Sequence, residues 1–282
     1  MKTASTIQAL RAQLEPIRRA GKTIGLVPTM GALHEGHLSL VRTAKTQTDV
    51  AVVSLFVNPL QFGPKEDLAK YPRNLERDRD LLESEGADYL FAPAIEEMYP
   101  PGAVTYVTVE ELSNRLDGLS RPGHFRGVAT VVAKLFHIVE PTRAFFGQKD
   151  AAQVAVLRRM VRDLNFALEI VVCPIVREPD GLALSSRNIY LNPTERQQAL
   201  ILSRTISHIR EAFEQGERNV ARMIAAGQGT FATEPAARLD YLSIVDPESL
   251  APVEAVNRPA LLAIAAWIGT TRLIDNTILD PH

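Results

Sequence analysis

The chain has 282 residues, a formal net charge of −2, 46% hydrophobic and 23% charged residues, which describes a globular protein with core material for about two domains. So balanced a charge exerts no global pull on nucleic acid or on an anionic membrane, and no apolar stretch is long enough to span a bilayer. The single cysteine, Cys173, cannot close an internal disulfide; with no signal-peptide pattern at the amino terminus, a cytoplasmic protein with a core thiol is expected.

Ile7 to Arg19 carries apolar residues at helical spacing (Ile7, Leu10, Leu14, Ile17) and ends near Gly21, a helix stop. Ile24 to Val27 reads as a buried parallel strand, broken by Pro28 and Gly31; the pattern Leu38, Leu40, Val41 then predicts a helix starting near His34 to His37. The unpaired N–H groups of that helix start form an anion site. His34 and His37, three apart, share one face of its first turn, where two imidazole donors suit a polyphosphate whose charge grows in a transition state. Gly36 leaves room for a ligand to approach the backbone. The spacing H-x-G-H in this strand–turn–helix setting resembles the signature of the nucleotidylyltransferase superfamily. Taken alone, two surface or core histidines explain the pair as well. Zinc is not expected, since no second cysteine or nearby acidic cluster completes a site.

Asp49 to Val57 reads as a second buried strand ending in Asn58-Pro59-Leu60-Gln61-Phe62-Gly63. Ligands of an open α/β sheet sit beyond the strands' carboxyl ends, so Asn58 and Gln61 are candidate contacts, although turn chemistry suffices for Asn58. Tyr71 to Glu85 predicts a solvated charged helix, Ala87 to Ala92 a strand, and Tyr106 to Val109 another short strand. A Gly/Pro-rich loop, Arg121 to Gly127, precedes a helix over Val128 to Val139. Arg143 to Phe146 is the next strand, opening into Gly147-Gln148-Lys149-Asp150 and a helix over Ala151 to Leu164. There Lys149 is a mobile charge for phosphate, Asp150 a helix cap or ribose ligand, and Gln153 faces the same cleft. The run Arg158, Arg159, Arg162 is a solvated face. Leu168 to Val176 predicts a fifth strand, followed by the turn Pro179-Asp180-Gly181 and by Ser185, Ser186 and Arg187, which can donate to phosphate. From Pro193 the pattern changes: one long helix to Phe213, another over Glu217 to Gly227, then strands over Leu239 to Val245 and Ala260 to Ile268, and a last apolar segment at Leu273 to Ile278.

Alternation of strands and helices predicts an α/β fold: a Rossmann-like doubly wound parallel sheet over residues 1–178, with a smaller C-terminal α+β domain over 179–282 that closes the cleft.

Six segments together resemble the pantothenate synthetase (pantoate–β-alanine ligase) family along nearly the whole chain: Pro28 to His37, Phe56 to Phe62, Tyr71-Pro72-Arg73, Gly123 to Val128, Phe145 to Asp150, and Val176 to Asn188. The resemblance implies an ATP- and Mg²⁺-dependent, homodimeric ligase that joins pantoate to β-alanine through a pantoyl adenylate. It implies an ATP site at Met30, Gly31, Ala32, Leu33, His34, Glu35, Gly36 and His37, at Gly147, Gln148, Lys149 and Asp150, and at Val176, Leu184, Ser185, Ser186 and Arg187. His37, His34 and Lys149 carry the chemistry, with His37 the family's proton donor. Gln61 and Gln153, with Pro28, Thr29 and Met30, hold pantoate and β-alanine; no protein metal site is implied. The chain departs from the family pattern at Gln148, usually Glu, and at Ala151 and Ala152, usually an aromatic and Gln, which is expected to loosen the pantoate side of the cleft. A different nucleotidylyltransferase and a non-catalytic nucleotide-binding relative are the rival readings.

Overall fold

The computed structural model of the chain describes residues 1–64, 68–69 and 71–281. In chain order the first lobe contains β1 (Lys2–Ala4), α1 (Ile7–Arg19), β2 (Ile24–Thr29), α2 (Glu35–Gln47), β3 (Val50–Leu55), α3 (Leu75–Ser84), β4 (Tyr89–Phe91), the short α4 (Ile95–Met98) and α5 (Asp117–Ser120), α6 (His124–Val139), β5 (Arg143–Gly147), α7 (Ala151–Asp163) and β6 (Glu169–Cys173). The second lobe contains α8 (Pro193–Gln198), α9 (Leu200–Glu214), α10 (Val220–Phe231), β7 (Ala237–Val245), β8 (Ala260–Ile268) and β9 (Thr271–Leu279).

The first six strands form one sheet in the order β1-β4-β3-β2-β5-β6, every pairing parallel. Alternate residues of each strand feed opposite cores, as the two-residue period requires. Ile24, Leu26, Val50, Val52, Phe91 and Phe146 pack with α1, α6 and α7, whereas Val27, Ala51, Val53, Leu90 and Phe145 pack with α2 and α3. The expected doubly wound α/β architecture is therefore present. The winding starts at β2, moves outward through β3 and β4, then returns to β5 on β2's other side, so the reversal falls between β2 and β5.

The second sheet is antiparallel, β7-β8-β9. Its central strand β8 is apolar throughout because both of its faces are covered. Leu261 and Ala263 join the first lobe's core, while Leu262, Ile264, Ala266 and Ile268 join a second core built with α9 and α10. The lobes thus share a packed boundary, and residues of the second core begin at Leu182.

Several expectations need correction. Residues 106–109 form no strand; the N–H of Val107 donates to Thr130 Oγ1 at 3.0 Å rather than to a ladder. Helix α3 starts at Leu75, capped by Asn74, whose side chain accepts from Arg77 N–H; Pro72 keeps residue 71 out of the helix. Strand β6 ends at Cys173 because Pro174 offers no N–H to continue the ladder. Helix α6 starts four residues early, at His124, so much of the anticipated loop is its first turn. The long helix expected from Pro193 divides at Ala199, where Leu202 N–H reaches back only to Ala199 C=O. Helix α10 begins at Val220, three residues later than predicted, because Asn219 caps it by accepting from Arg222 N–H.

Candidate functional site

The turn after β2 sets the histidines. Its left-handed residues are Gly31 (φ 85°) and Ala32 (φ 51°), and a carboxylate clamps it: Asp78 on α3 accepts from Ala32 N–H at 2.8 Å and Leu33 N–H at 2.9 Å. Asp78 is 2% exposed, so this face of α3 is not solvated as predicted. The sequence did carry a signal for it, since Asp78 stands one helical turn before the fully buried Leu82. Arg77 adds a bond to the Leu33 carbonyl at 3.2 Å.

His34 then caps α2. Its Nδ1 accepts from Gly36 N–H at 3.2 Å, and His37 Nδ1 accepts from His34 N–H at 3.4 Å. The two rings lie 4.1 Å apart between centroids. A Cβ on Gly36 would stand 2.9 Å from the His34 ring, so this glycine makes room for the capping imidazole, not only for a ligand. With both Nδ1 atoms accepting, the proton of each neutral ring sits on Nε2. Burial, and then the ammonium of Lys149, lowers the His34 pKa to about 4. Burial, then His34 and Lys149, lowers that of His37 to about 3. Both rings are neutral Nε2–H donors near neutral pH.

Lys149 and Asp150 follow β5, the strand across the reversal from β2. Lys149 Nζ lies 3.5 Å from Asp150 Oδ1. Desolvation pushes the Asp150 carboxyl up, but Lys149, His37 and Arg187 together more than offset it and hold the group below the usual carboxylate range. Asp150 occupies the cap position of α7 without making the expected capping bond. Beyond β6, residues 176–184 form a hairpin in which Leu184 N–H donates to the Val176 carbonyl at 3.0 Å. The Leu184 Cβ comes within 3.9 Å of where a Cβ on Gly36 would stand, which brings the third loop beside the histidine turn. Ser185 Oγ accepts from Arg187 N–H at 3.2 Å, and Ser186 Oγ meets Tyr71 Oη at 3.3 Å.

The second and third of these loops border a cleft of about 970 Å³, lined among others by Lys149, Asp150, Gln153, Ser185 and Arg187 and, from the C-terminal sheet, by Trp267 and Arg272; no residue of the histidine turn is part of that lining. Arg272 donates to Asp117 and Asp240, each at 2.7 Å. That buried network ties α5 to β7 and β9, and no sequence signal pointed to it, since its members are distant in the chain.

Gln61 lines not this cleft but a smaller recess of about 270 Å³ that shares Gly63, Pro64, Pro122 and His124 with it. Its amide bonds Met30 Sδ at 3.0 Å and accepts from Asn58 Nδ2 at 3.1 Å, which joins it to the β2 turn. Asn58 itself is 1% exposed and serves the scaffold, donating to the Gly127 carbonyl and accepting from Tyr99 Oη. Other expected contacts offer no side chain to a ligand: Leu33 is in the core, Thr29 Oγ1 bonds the Ser54 carbonyl, and Glu35 faces solvent, paired with Arg42. Pro28 pairs within the β2–β3 ladder. Gly147 closes the β5–β6 ladder opposite Cys173. Gln148 donates to Asn276 Oδ1 at 3.0 Å, so its amide faces β9. Ala151 and Ala152 are buried in the core. Among the described residues, no three His, Cys, Asp or Glu side chains converge to hold a metal ion.

A crevice opening where a parallel sheet reverses its winding is the ligand site of doubly wound α/β proteins, and donors gathered at helix starts there suit a phosphate-bearing ligand. Residues 2–278 match the model of the Pantoate-beta-alanine ligase family, and the chain belongs to that family. It is 61% identical to the pantothenate synthetase of Acidobacterium capsulatum, over 99% of this chain and 97% of that protein. A crystal structure of pantothenate synthetase from Thermus thermophilus superposes with a TM-score of 0.95 at 51% identity, covering 100% of both chains. The Francisella tularensis ligase, solved with beta-gamma ATP and beta-alanine, has a TM-score of 0.78 at 36% identity over 99% of this chain and 97% of its own.

Proposed function

We propose that this protein joins pantoate to β-alanine with ATP, giving pantothenate, AMP and pyrophosphate. In the first step a pantoate carboxylate oxygen bonds the α-phosphorus while the bond to the bridging oxygen of pyrophosphate breaks. In the second, the β-alanine nitrogen attacks the acyl carbon, the bond to AMP breaks, and the amine loses a proton. A carboxylate is a poor electrophile, so the adenylate supplies the leaving group that amide formation needs.

The observation that carries this reading is the pair of neutral imidazole donors at the start of α2, close enough to Lys149 to feel its charge. His37, with His34 beside it, donates Nε2–H toward the oxygens on which charge grows. Lys149, Ser185, Ser186 and Arg187 hold the phosphates, with Arg187 as a bidentate partner. The backbone of Met30 to His37, the Gly147 to Asp150 turn, Val176 and Leu184 shape the rest of the ATP site. Gln61 and Gln153, beside Pro28, Thr29 and Met30, hold the hydroxyls and carboxylate of pantoate. The C-terminal residues 179–282 close over the cleft and keep water from the acyl adenylate.

Mg²⁺ fits this residue set as an ion chelated by the triphosphate, with Asp150 the nearby carboxylate, because magnesium retains waters and uses few protein ligands. Bound there it would neutralise phosphate charge. A homodimer is supported by residues 103–109, which join no strand ladder among the described residues and expose Val104 (81%) and Tyr106 (43%). No described helix is long and apolar enough to cross a membrane, which, with the net charge of −2, supports a cytoplasmic enzyme without a nucleic-acid partner.

The test is ATP–pyrophosphate exchange. It should require pantoate, and AMP and pantothenate should appear only when β-alanine is added. His37→Ala should slow the exchange by roughly a hundredfold or more. ATP binding without any exchange would overturn the assignment in favour of a non-catalytic relative.

A further inference from the structure

Two adjacent residues of β9, Asp275 (2% exposed) and Asn276 (3% exposed), reach the two loops that carry Lys149 and Arg187. Asn276 Nδ2 donates to the carbonyls of Gln148 at 3.0 Å and Lys149 at 2.9 Å. Its Oδ1 accepts from Gln148 Nε2 at 3.0 Å, so one buried amide grips the turn through three bonds. Asp275 accepts a bidentate pair from Arg177, at 2.7 and 2.8 Å. Arg177 in turn donates to the Gly181 carbonyl at 3.0 Å and sits at the bridge to Ala183 that closes the hairpin leading to Ser185 and Arg187.

Asp150 makes no capping bond to α7, and Lys149 hangs from a flexible four-carbon stem, so its reach depends on where its Cα is held. A buried amide whose donor and acceptor are all used permits one arrangement, because any rotation strands polar groups away from water.

We propose that the Asp275–Asn276 pair is the positioning device of the phosphate site, through which the C-terminal sheet sets Lys149 and Arg187. Neither residue touches the reactants; they act through the two loops. Gln148 is part of the device, because a carboxylate there would face Asn276 Oδ1 with an acceptor against an acceptor. The inference rests on the ligase reading above.

The experiment uses the full-length enzyme and the pantoate-dependent exchange rate. Asn276→Asp keeps the side chain's size but turns an oxygen toward the two carbonyls. It should lower the exchange kcat about 10- to 100-fold, the usual range for residues that orient a ligand-holding group, with the pantoate KM changed less than about twofold. In a Lys149→Ala background the same substitution should cost less than about twofold more, since residues acting through one another are non-additive. Asp275→Asn should behave likewise against Arg187→Ala. If Asn276→Asp does not fold, Gln148→Leu removes one of the three bonds and should give a severalfold loss that vanishes with Lys149→Ala. Losses that multiply, or a parental rate in Asn276→Asp, would overturn the proposal. Absence of exchange in the unsubstituted enzyme would instead remove the functional reading on which it rests.

Discussion

Asp78→Asn probes the clamp that sets the histidine turn. The carboxylate accepts from two main-chain N–H groups at 2.8 and 2.9 Å, and a hydrogen bond to a charged group contributes about 1.5–3 kcal/mol net. Asparagine retains one acceptor and turns its NH₂ toward the other N–H, so one bond is lost and a buried donor is left unpaired, about 2–4 kcal/mol in all. The turn is also strained, because Ala32 sits at φ 51°, a conformation that costs a non-glycine about 1–2 kcal/mol. Without the clamp it relaxes and carries His34 and His37 with it. Thermal unfolding followed by circular dichroism should show a melting temperature lower by about 3–7 °C. A displacement near 1 Å at the reacting groups should slow pantoate-dependent exchange on the order of a hundredfold. Asp80→Asn, on the exposed face of the same helix, should change stability by less than about 0.5 kcal/mol. If Asp78→Asn melts within a degree of the parent and exchanges at its rate, the clamp does not hold the site.

The depressed histidine pKa values, about 4 for His34 and about 3 for His37, carry a sign for stability. The unfolded chain takes up these protons near the ordinary value of about 6.5, so their contribution is fully present above that pH and is lost as pH falls toward 3. His37→Asn should flatten the decline in urea-unfolding free energy between pH 7 and pH 4, and an unchanged decline would refute the shift. Gln61→Ala should raise the pantoate KM more than the ATP KM in exchange kinetics; equal increases would count against its assignment. Gly127→Ala would drive a Cβ into the Leu60 carbonyl, which is backbone and cannot swing aside, so severe destabilisation or insolubility should follow. Gly229→Ala meets nothing within 4 Å and should raise stability by about 1 kcal/mol in chemical denaturation.

The sequence by itself determined the elements whose signals are local. Apolar runs placed β2, β3 and β5, and β8 was bounded at Ala260–Ile268 as predicted. The glycine–histidine spacing marked the start of α2, and the alternation of strands and helices gave the parallel sheet. Local signals failed where a partner distant in the chain decides the outcome. The stretch at 106–109 has strand composition but no neighbouring strand, and the place of Asp78 on the Leu82 face of its helix hinted at burial but not at what it clamps, because the N–H groups it serves lie 45 and 46 residues earlier. Only the tertiary structure decided the strand order, and with it that the loops after β2 and β5 face one another at the reversal. It also decided that β9 supplies Asn276 to the Lys149 turn, 127 residues away. The physical reason is common to all of these: hydrogen bonding and desolvation act over a few ångströms of space, whatever the separation along the chain, and hydrophobic periodicity records only which face of an element is covered, not by what.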